Sequence, residues 1–332
     1  MLKKHKNSPN PFEDAVSSFK PAFQKFEKFL LGQVSAFSPE IRDAARNTIA
    51  PKGKFIRPIL VMSAAGAAAD TEAVVRRAAV VELTHLSTLV HDDVIDNASM
   101  RRSSPTANSL YGTRTAILLG DIIFAHMMTL AVQDSDARVV AETAKCVQTV
   151  CEGEIKQTLS AKKDIVSRNA YYTTVYGKTA ALFELSCRLG ALAAEIPQWA
   201  DTAAEVGKQL GIAYQIFDDV CDWFMSENQA GKTLGTDLIS GKQTFPLIVM
   251  IEKLPARKAK DFIAALPSGN FAEIRGKMVA ENVLAECSAE IDRRIDSAEK
   301  LLEKFPETGA NLSKCCAALR EMNAEVVRDA NL

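Results

Sequence analysis

A chain of 332 residues that is 47% apolar can bury a large core, and its length suits one large helical unit as well as two ordinary domains. Forty Lys and Arg against 41 Asp and Glu leave a net charge of −1, which excludes a global field that recruits nucleic acid or an acidic membrane. Any charge-based function is therefore local. The seven cysteines are scattered and contain no CxxC pair, which argues against a disulfide framework and a zinc site and fits a reducing, cytoplasmic setting.

Residues 1–11 are basic and polar with no apolar run behind the charges, so they read as a loose tail ahead of a single helical domain spanning 12–332. From there almost every segment is Ala- and Leu-rich with apolar residues three and four apart, and alternating β-branched runs are nearly absent. The fold class is all-α, a bundle of long helices. Asp70 and Thr71 cap a helix expected to reach about Asn97. Thr115 to Val132 is the most membrane-like stretch, but Asp121 and His126 sit inside it, so it is expected to be a helix buried in a soluble protein, with no transmembrane segment. Ser167 caps a helix expected to end near Ala194, and Pro197 precedes one reaching about Ser226. No Gly, Pro or Ser linker divides the chain, and no internal repeat is visible.

The chemistry is concentrated in two DDxxD motifs, Asp92-Asp93-Val94-Ile95-Asp96 and Asp218-Asp219-Val220-Cys221-Asp222. On a helix, Asp92 and Asp96 lie about 40° apart, as do Asp218 and Asp222, so each pair stacks negative charge that only a cation or solvent relieves. Such hard oxygen donors suit Mg²⁺, which keeps several waters and bridges carboxylates to substrate phosphates. One DDxxD alone is more often a solvated helix end; two copies, each following a long apolar helix, point to the rim of a shared cavity. Val81, His85 and Thr88 share the face of Asp92, and Gly207, Gly211 and Tyr214 that of Asp218. The two glycines also fit a plain role in close helix packing. Glu82-x-x-His85 is half of a ferritin-like di-metal motif whose second copy is missing.

These residues resemble the trans-prenyl diphosphate synthase (polyprenyl synthetase) family, in order, from Gly53 to Lys242. Gly53-Lys54-Phe55-Ile56-Arg57-Pro58 resembles the family's GKxxRP element, and Arg101-Arg102 its arginine pair after the first aspartate motif. Lys178-Thr179 resembles the KT element, Gly211-x-x-x-Gln215-x-x-Asp218 the second motif, and Gly231-Lys232 with Asp237 and Lys242 the closing loop. Ser103 departs from the family's usual Gly, which bears on the local turn more than on the chemistry.

The resemblance implies an isoprenoid synthase fold around a central elongation cavity. It implies catalytic roles for Asp92, Asp93, Asp96, Lys178, Asp218 and Asp219, with Asp92, Asp96 and Asp218 ligating Mg²⁺, three ions with substrate bound. Arg101, Lys178, Thr179, Gln215, Lys232 and Lys242 would contact the allylic diphosphate, and Lys54, Arg57, His85 and Arg102 isopentenyl diphosphate. Two diphosphates need two cationic clamps, with bidentate Arg and point-charge Lys dividing the work. A terpene cyclase shares the first motif but typically carries a different metal triplet in place of the second, and a non-catalytic partner subunit of a synthase usually lacks one motif; this chain keeps both. The family commonly forms homodimers, and product release implies peripheral membrane contact. Small residues beneath Asp92, Ser87 and Thr88, leave room for a tail beyond fifteen carbons, with Phe124, Met127 or Met128 as the next barrier.

Overall fold

Hydroxyl and amide caps start four helices, two of them at Thr71 and Ser167, where the sequence places them. Thr71 Oγ1 accepts from the Val74 amide, Ser167 Oγ from Ala170, Thr106 Oγ1 from Ser109, and Asn270 Oδ1 from Ala272 and Glu273. The computed structural model describes residues 12–50, 53–101, 104–159, 165–225, 243–266 and 269–330, so the expected 1–11 tail lies outside the described residues. In order the helices are α1 Glu13–Ser17, α2 Lys20–Gly32, α3 Arg42–Ile49, α4 Ile56–Ala65, α5 Glu72–Ile95, α6 Ala107–Tyr111, α7 Thr113–Val132 and α8 Ala137–Leu159. Then come α9 Arg168–Val175, α10 Ala181–Ala191, α11 Trp199–Phe224, α12 Phe245–Glu252, α13 Ala256–Ala265, α14 Phe271–Ala280, α15 Val283–Leu302 and α16 Ala310–Ala330. Among the described residues, the only strands are a two-residue ribbon pairing Met100 with Pro105 and Arg101 with Ser104.

The long helix α11 packs between α10 and α15, α10 packs on α4, and α5 pairs with α7. In α4 every residue except Arg57 is buried. Gly207 and Gly211 act as packing devices: a Cβ on the first would stand 2.5 Å from the Phe183 carbonyl oxygen, and on the second 2.6 Å from the Ala180 Cα. At the end of the bundle away from the aspartate motifs, Arg77 grips both oxygens of buried Asp134 at 2.9 Å and donates to the Leu189 carbonyl, joining α5, the α7–α8 turn and α10.

Two expectations change. The segment from Ser167 to Ala194 is not one regular helix; between α9 and α10 it carries a π turn, Tyr176–Ala180. The backbones approach closely there, with Gly153 of α8 and Gly177 so near that a Cβ on either would meet the other's Cα at 3.0 Å. Second, α7 is not a buried helix. It is long and apolar enough to cross a membrane, yet only 39% of its apolar window is buried. Its inner face packs on α5, while Ile117, Leu118, Ile122 and Val132 are exposed.

Candidate active site

The first motif occupies the last turn of α5 and the second that of α11, where each helix dipole already presents its negative end. Carboxylates stacked there raise the local affinity for a cation. Asp92 is half-buried and Asp96 exposed, whereas Asp93 is 5% exposed and accepts a 2.7 Å hydrogen bond from Arg101 Nε. The small ribbon after α5 turns Arg101 back onto Asp93. Burial pushes the Asp92 carboxyl above the usual carboxylate range; Lys178 and Arg101 oppose that shift, while Glu154 and Asp96 reinforce it. Burial also raises Asp93, against the pull of Arg101.

Lys178 stands on the π turn, its Nζ 3.1 Å from Glu154. Burial alone would lower its pKa, but Glu154, and then Asp92 and Asp96, outweigh burial and hold it above the ordinary lysine value. The next residue, Thr179, donates a 2.6 Å bond to Gln215 Oε1 on α11. The π turn thus links the two motifs, with Lys178 reaching the first and Thr179 the second.

In the second motif only Asp218 is exposed. Asp219, 5% exposed, accepts hydrogen bonds from Tyr171 Oη at 2.7 Å, Gln215 Nε2 at 2.9 Å and the Phe245 amide at 3.0 Å. It ties α9, α11 and the start of α12 together, so it is built as an anchor rather than as an open ligand. Asp222 is fully buried, so bulk solvent does not relieve the expected stack of Asp218 on Asp222. The last turn of α11 is buried on all sides at that point, with Val220, Cys221, Trp223 and Phe224 buried alongside Asp222.

In the GKxxRP element, Lys54 is exposed, and Arg57 is half-buried with its guanidinium 5.2 Å from the Phe183 ring centroid. His85 is half-buried one turn below Leu89. A small cavity of about 100 Å³ is lined by Gly53, Phe55, Glu82, Asp93 and Arg101, joining the GKxxRP element to the first motif. A larger cleft, about 600 Å³, lies near the other end of α11 beside Gln198, where Asp201 and Glu142 already neutralise Arg188; it is remote from the motifs. Arg102, Ser103, Gly231, Lys232, Asp237 and Lys242 lie outside the described residues.

Beneath Asp92, Thr88 is half-buried and bonds its own turn through His85, while Ser87 is buried and donates to the Gly120 carbonyl of α7. Ser87 is therefore turned into the α5–α7 contact. Phe124 and Met128 are half-buried on α7, and Met127 is fully buried core. Glu154, Tyr171 and the cavity-facing role of Glu82 escaped the sequence reading; the one signal for them was acidic or polar residues inside otherwise apolar helices. All seven cysteines, each within the described residues, are free.

Helix ends rich in aspartate, joined by a cationic turn within an all-helical bundle, define the isoprenoid synthase class. The solved polyprenyl synthase from Caulobacter crescentus CB15, complexed with calcium and isoprenyl diphosphate, superposes with a TM-score of 0.84 at 26% identity, over 95% of this chain and 97% of that one. Residues 38–275 match the polyprenyl synthetase family model, and the chain belongs to that family. It is 34% identical to heptaprenyl diphosphate synthase component 2 of Geobacillus stearothermophilus, over 82% of this chain and 86% of the relative. It is 31% identical to the octaprenyl diphosphate synthase of Escherichia coli K12, over 77% and 81% respectively. The protein is a transferase of the prenyl diphosphate synthase type.

Proposed function

We propose that this protein condenses isopentenyl diphosphate head to tail with an allylic diphosphate, making a trans-polyprenyl diphosphate of medium to long chain. The observation that carries the reading is the convergence of Asp92, Asp96, Arg101, Lys178 and Glu154 on one helix end, linked through Thr179 and Gln215 to the second motif. Relatives named for heptaprenyl and octaprenyl products support the chain-length class, as does the small Thr88 beneath Asp92.

The donor set fits Mg²⁺. Among the described residues no three acidic, His or Cys side chains stand close enough to hold an ion alone, and Asp92, Asp96 and Asp218 are the motif carboxylates left accessible, so diphosphate oxygens and water would complete the shell. Asp92, Asp96 and Asp218 would hold the Mg²⁺, three ions with substrate, which would supply positive charge against that building on the departing diphosphate. Lys178 and Arg101 lie beside Asp92 to bind the same diphosphate as the C1–O bond breaks and its electron pair leaves with oxygen. Lys54, Arg57, His85 and Arg102 hold isopentenyl diphosphate so that its double bond attacks C1. A proton then passes from the new adduct to the released diphosphate, and apolar helix faces exclude water.

Incubating the purified protein with Mg²⁺, geranyl diphosphate and labelled isopentenyl diphosphate tests the reading; products longer than fifteen carbons support it, products that stop at fifteen overturn the chain-length class, and absence of consumption overturns it for the chain alone. His85→Ala should raise KM for isopentenyl diphosphate about tenfold and leave that for the allylic substrate nearly unchanged; the reverse pattern would exchange the two sites. A second reading, one catalytic component of a two-part synthase, is favoured by the name of the Geobacillus relative, component 2 of a heptaprenyl diphosphate synthase. A chain inert alone and active only with a second polypeptide would establish it.

The exposed apolar face of α7 supports a homodimer. Asp121, exposed on that helix and 3.3 Å from His91, makes hydrocarbon a costly neighbour, and a second copy of the chain the better one. A cytoplasmic enzyme touching the membrane only to release product fits this arrangement.

A further inference from the structure

Five non-glycine residues among those described adopt left-handed backbone: Phe55, Asn97, Glu195, Gln198 and Asn282. Asparagine tolerates that region because its short polar side chain bonds locally. Phe55 has no such means, and at φ 50° and ψ 37° a bulky aromatic is a true outlier where glycine would be the cheapest residue. It caps the N-terminus of α4, its carbonyl accepting from the Ile59 amide at 3.0 Å. Lys54 precedes the turn and Arg57 follows it in the first turn of α4. The backbone reversal at Phe55 therefore sets the angle between these two cations.

The ring explains how an unfavourable conformation persists. It meets the fully buried Phe26 at 5.5 Å with planes 82° apart, and Phe23 at 6.1 Å and 69°, so α2 grips the turn from outside the site. On its other side Phe55 lines the small cavity with Gly53, Glu82, Asp93 and Arg101. Backbone strain held by its surroundings at such a place points to pre-organisation.

We infer that Phe55 is a positioning residue for the second substrate: clamped by Phe23 and Phe26, it holds the left-handed turn that aims Lys54 and Arg57 at isopentenyl diphosphate. This rests on the assignment of those two cations proposed above. Steady-state kinetics with isopentenyl diphosphate varied at saturating farnesyl diphosphate, then the converse, test it alongside thermal melting. Phe55→Ala should raise KM for isopentenyl diphosphate about tenfold, with kcat and KM for farnesyl diphosphate within about twofold of wild type. Phe55→Gly, free of strain but without the ring, should show the same selective rise and guards against a variant that merely fails to fold. Phe26→Ala, which removes the buried clamp and leaves the Phe55 side chain in place, should reproduce it, and Phe55→Tyr should keep wild-type KM. Equal rises for both substrates, or lowered melting with an unchanged KM for isopentenyl diphosphate, would overturn the inference and leave Phe55 a core residue. Lys54→Ala and Arg57→Ala separate the two levels. If neither alters KM for isopentenyl diphosphate, the site assignment fails and this inference with it; if both do and Phe55→Ala does not, the inference alone fails.

Discussion

Asp92 and Asp218 open motifs of identical spacing at the ends of two long helices, yet their neighbours have different fates. In the first, Asp92 and Asp96 stay accessible and only Asp93 is enclosed, held by Arg101. In the second, Asp218 alone stays accessible; Asp219 is bonded to three elements and Asp222 is sealed in the bundle. The difference comes from what packs around each helix end. The last turn of α5 is covered by one small ribbon over Asp93 while Lys178 and Glu154 stand beside Asp92, whereas the last turn of α11 is bonded through Asp219 to α9 and the start of α12. A shared pattern therefore encodes two kinds of carboxylate, one exposed for ligands and one buried for architecture.

The largest effect should come from the accessible carboxylates. Asp92→Ala and Asp218→Ala should each reduce turnover about a thousandfold or more while far-ultraviolet circular dichroism stays that of wild type. Burial raises the Asp92 pKa, so its contribution to folding is favourable below the unfolded value of about 3.9 and is lost as pH rises through its higher folded value. Ligand-free Asp92→Ala should accordingly melt at or above wild type at neutral pH. Near-normal activity in both variants would break the comparison.

Asp219→Ala should do the opposite first. It strands the Tyr171 hydroxyl, the Phe245 amide and one donor of Gln215, a loss of about 3 kcal/mol readable as a lowered denaturant midpoint. Unchanged stability with abolished activity would return Asp219 to the chemistry.

The buried pair at the far end gives a smaller, pH-marked effect. Burial would raise Asp134, but the Arg77 guanidinium and the Asp136 amide outweigh it and hold the carboxyl below its usual range. Its stabilisation is present above about pH 3.9 and is lost as pH falls through the lower folded value. Asp134→Asn should cost about 2 kcal/mol at pH 7, and its stability should converge with that of wild type in strong acid. A gap that persists however far the pH is lowered would mean the loss is one of packing rather than charge.

The smallest effect in energy is the most legible in product. Thr88→Phe should put a ring beneath Asp92 and shorten the polyprenyl tail, because overpacking blocks it directly; an unchanged product distribution by chromatography would refute Thr88 as the floor.

The sequence by itself determined the helical class, the caps at Thr71 and Ser167, and the positions of both motifs, because helix periodicity and capping act over a few residues. The resemblance extended that to the cations on either side. Only the tertiary structure decided which of six aspartates stay accessible, that Lys178 and Thr179 ride on a π turn opposite Gly153, that α7 leaves an apolar face uncovered, and that Phe55 is held left-handed by α2. Each depends on a residue distant in the chain, and local pattern carries no information about which distant surface will arrive to bury a carboxylate, crowd a backbone or clamp a ring.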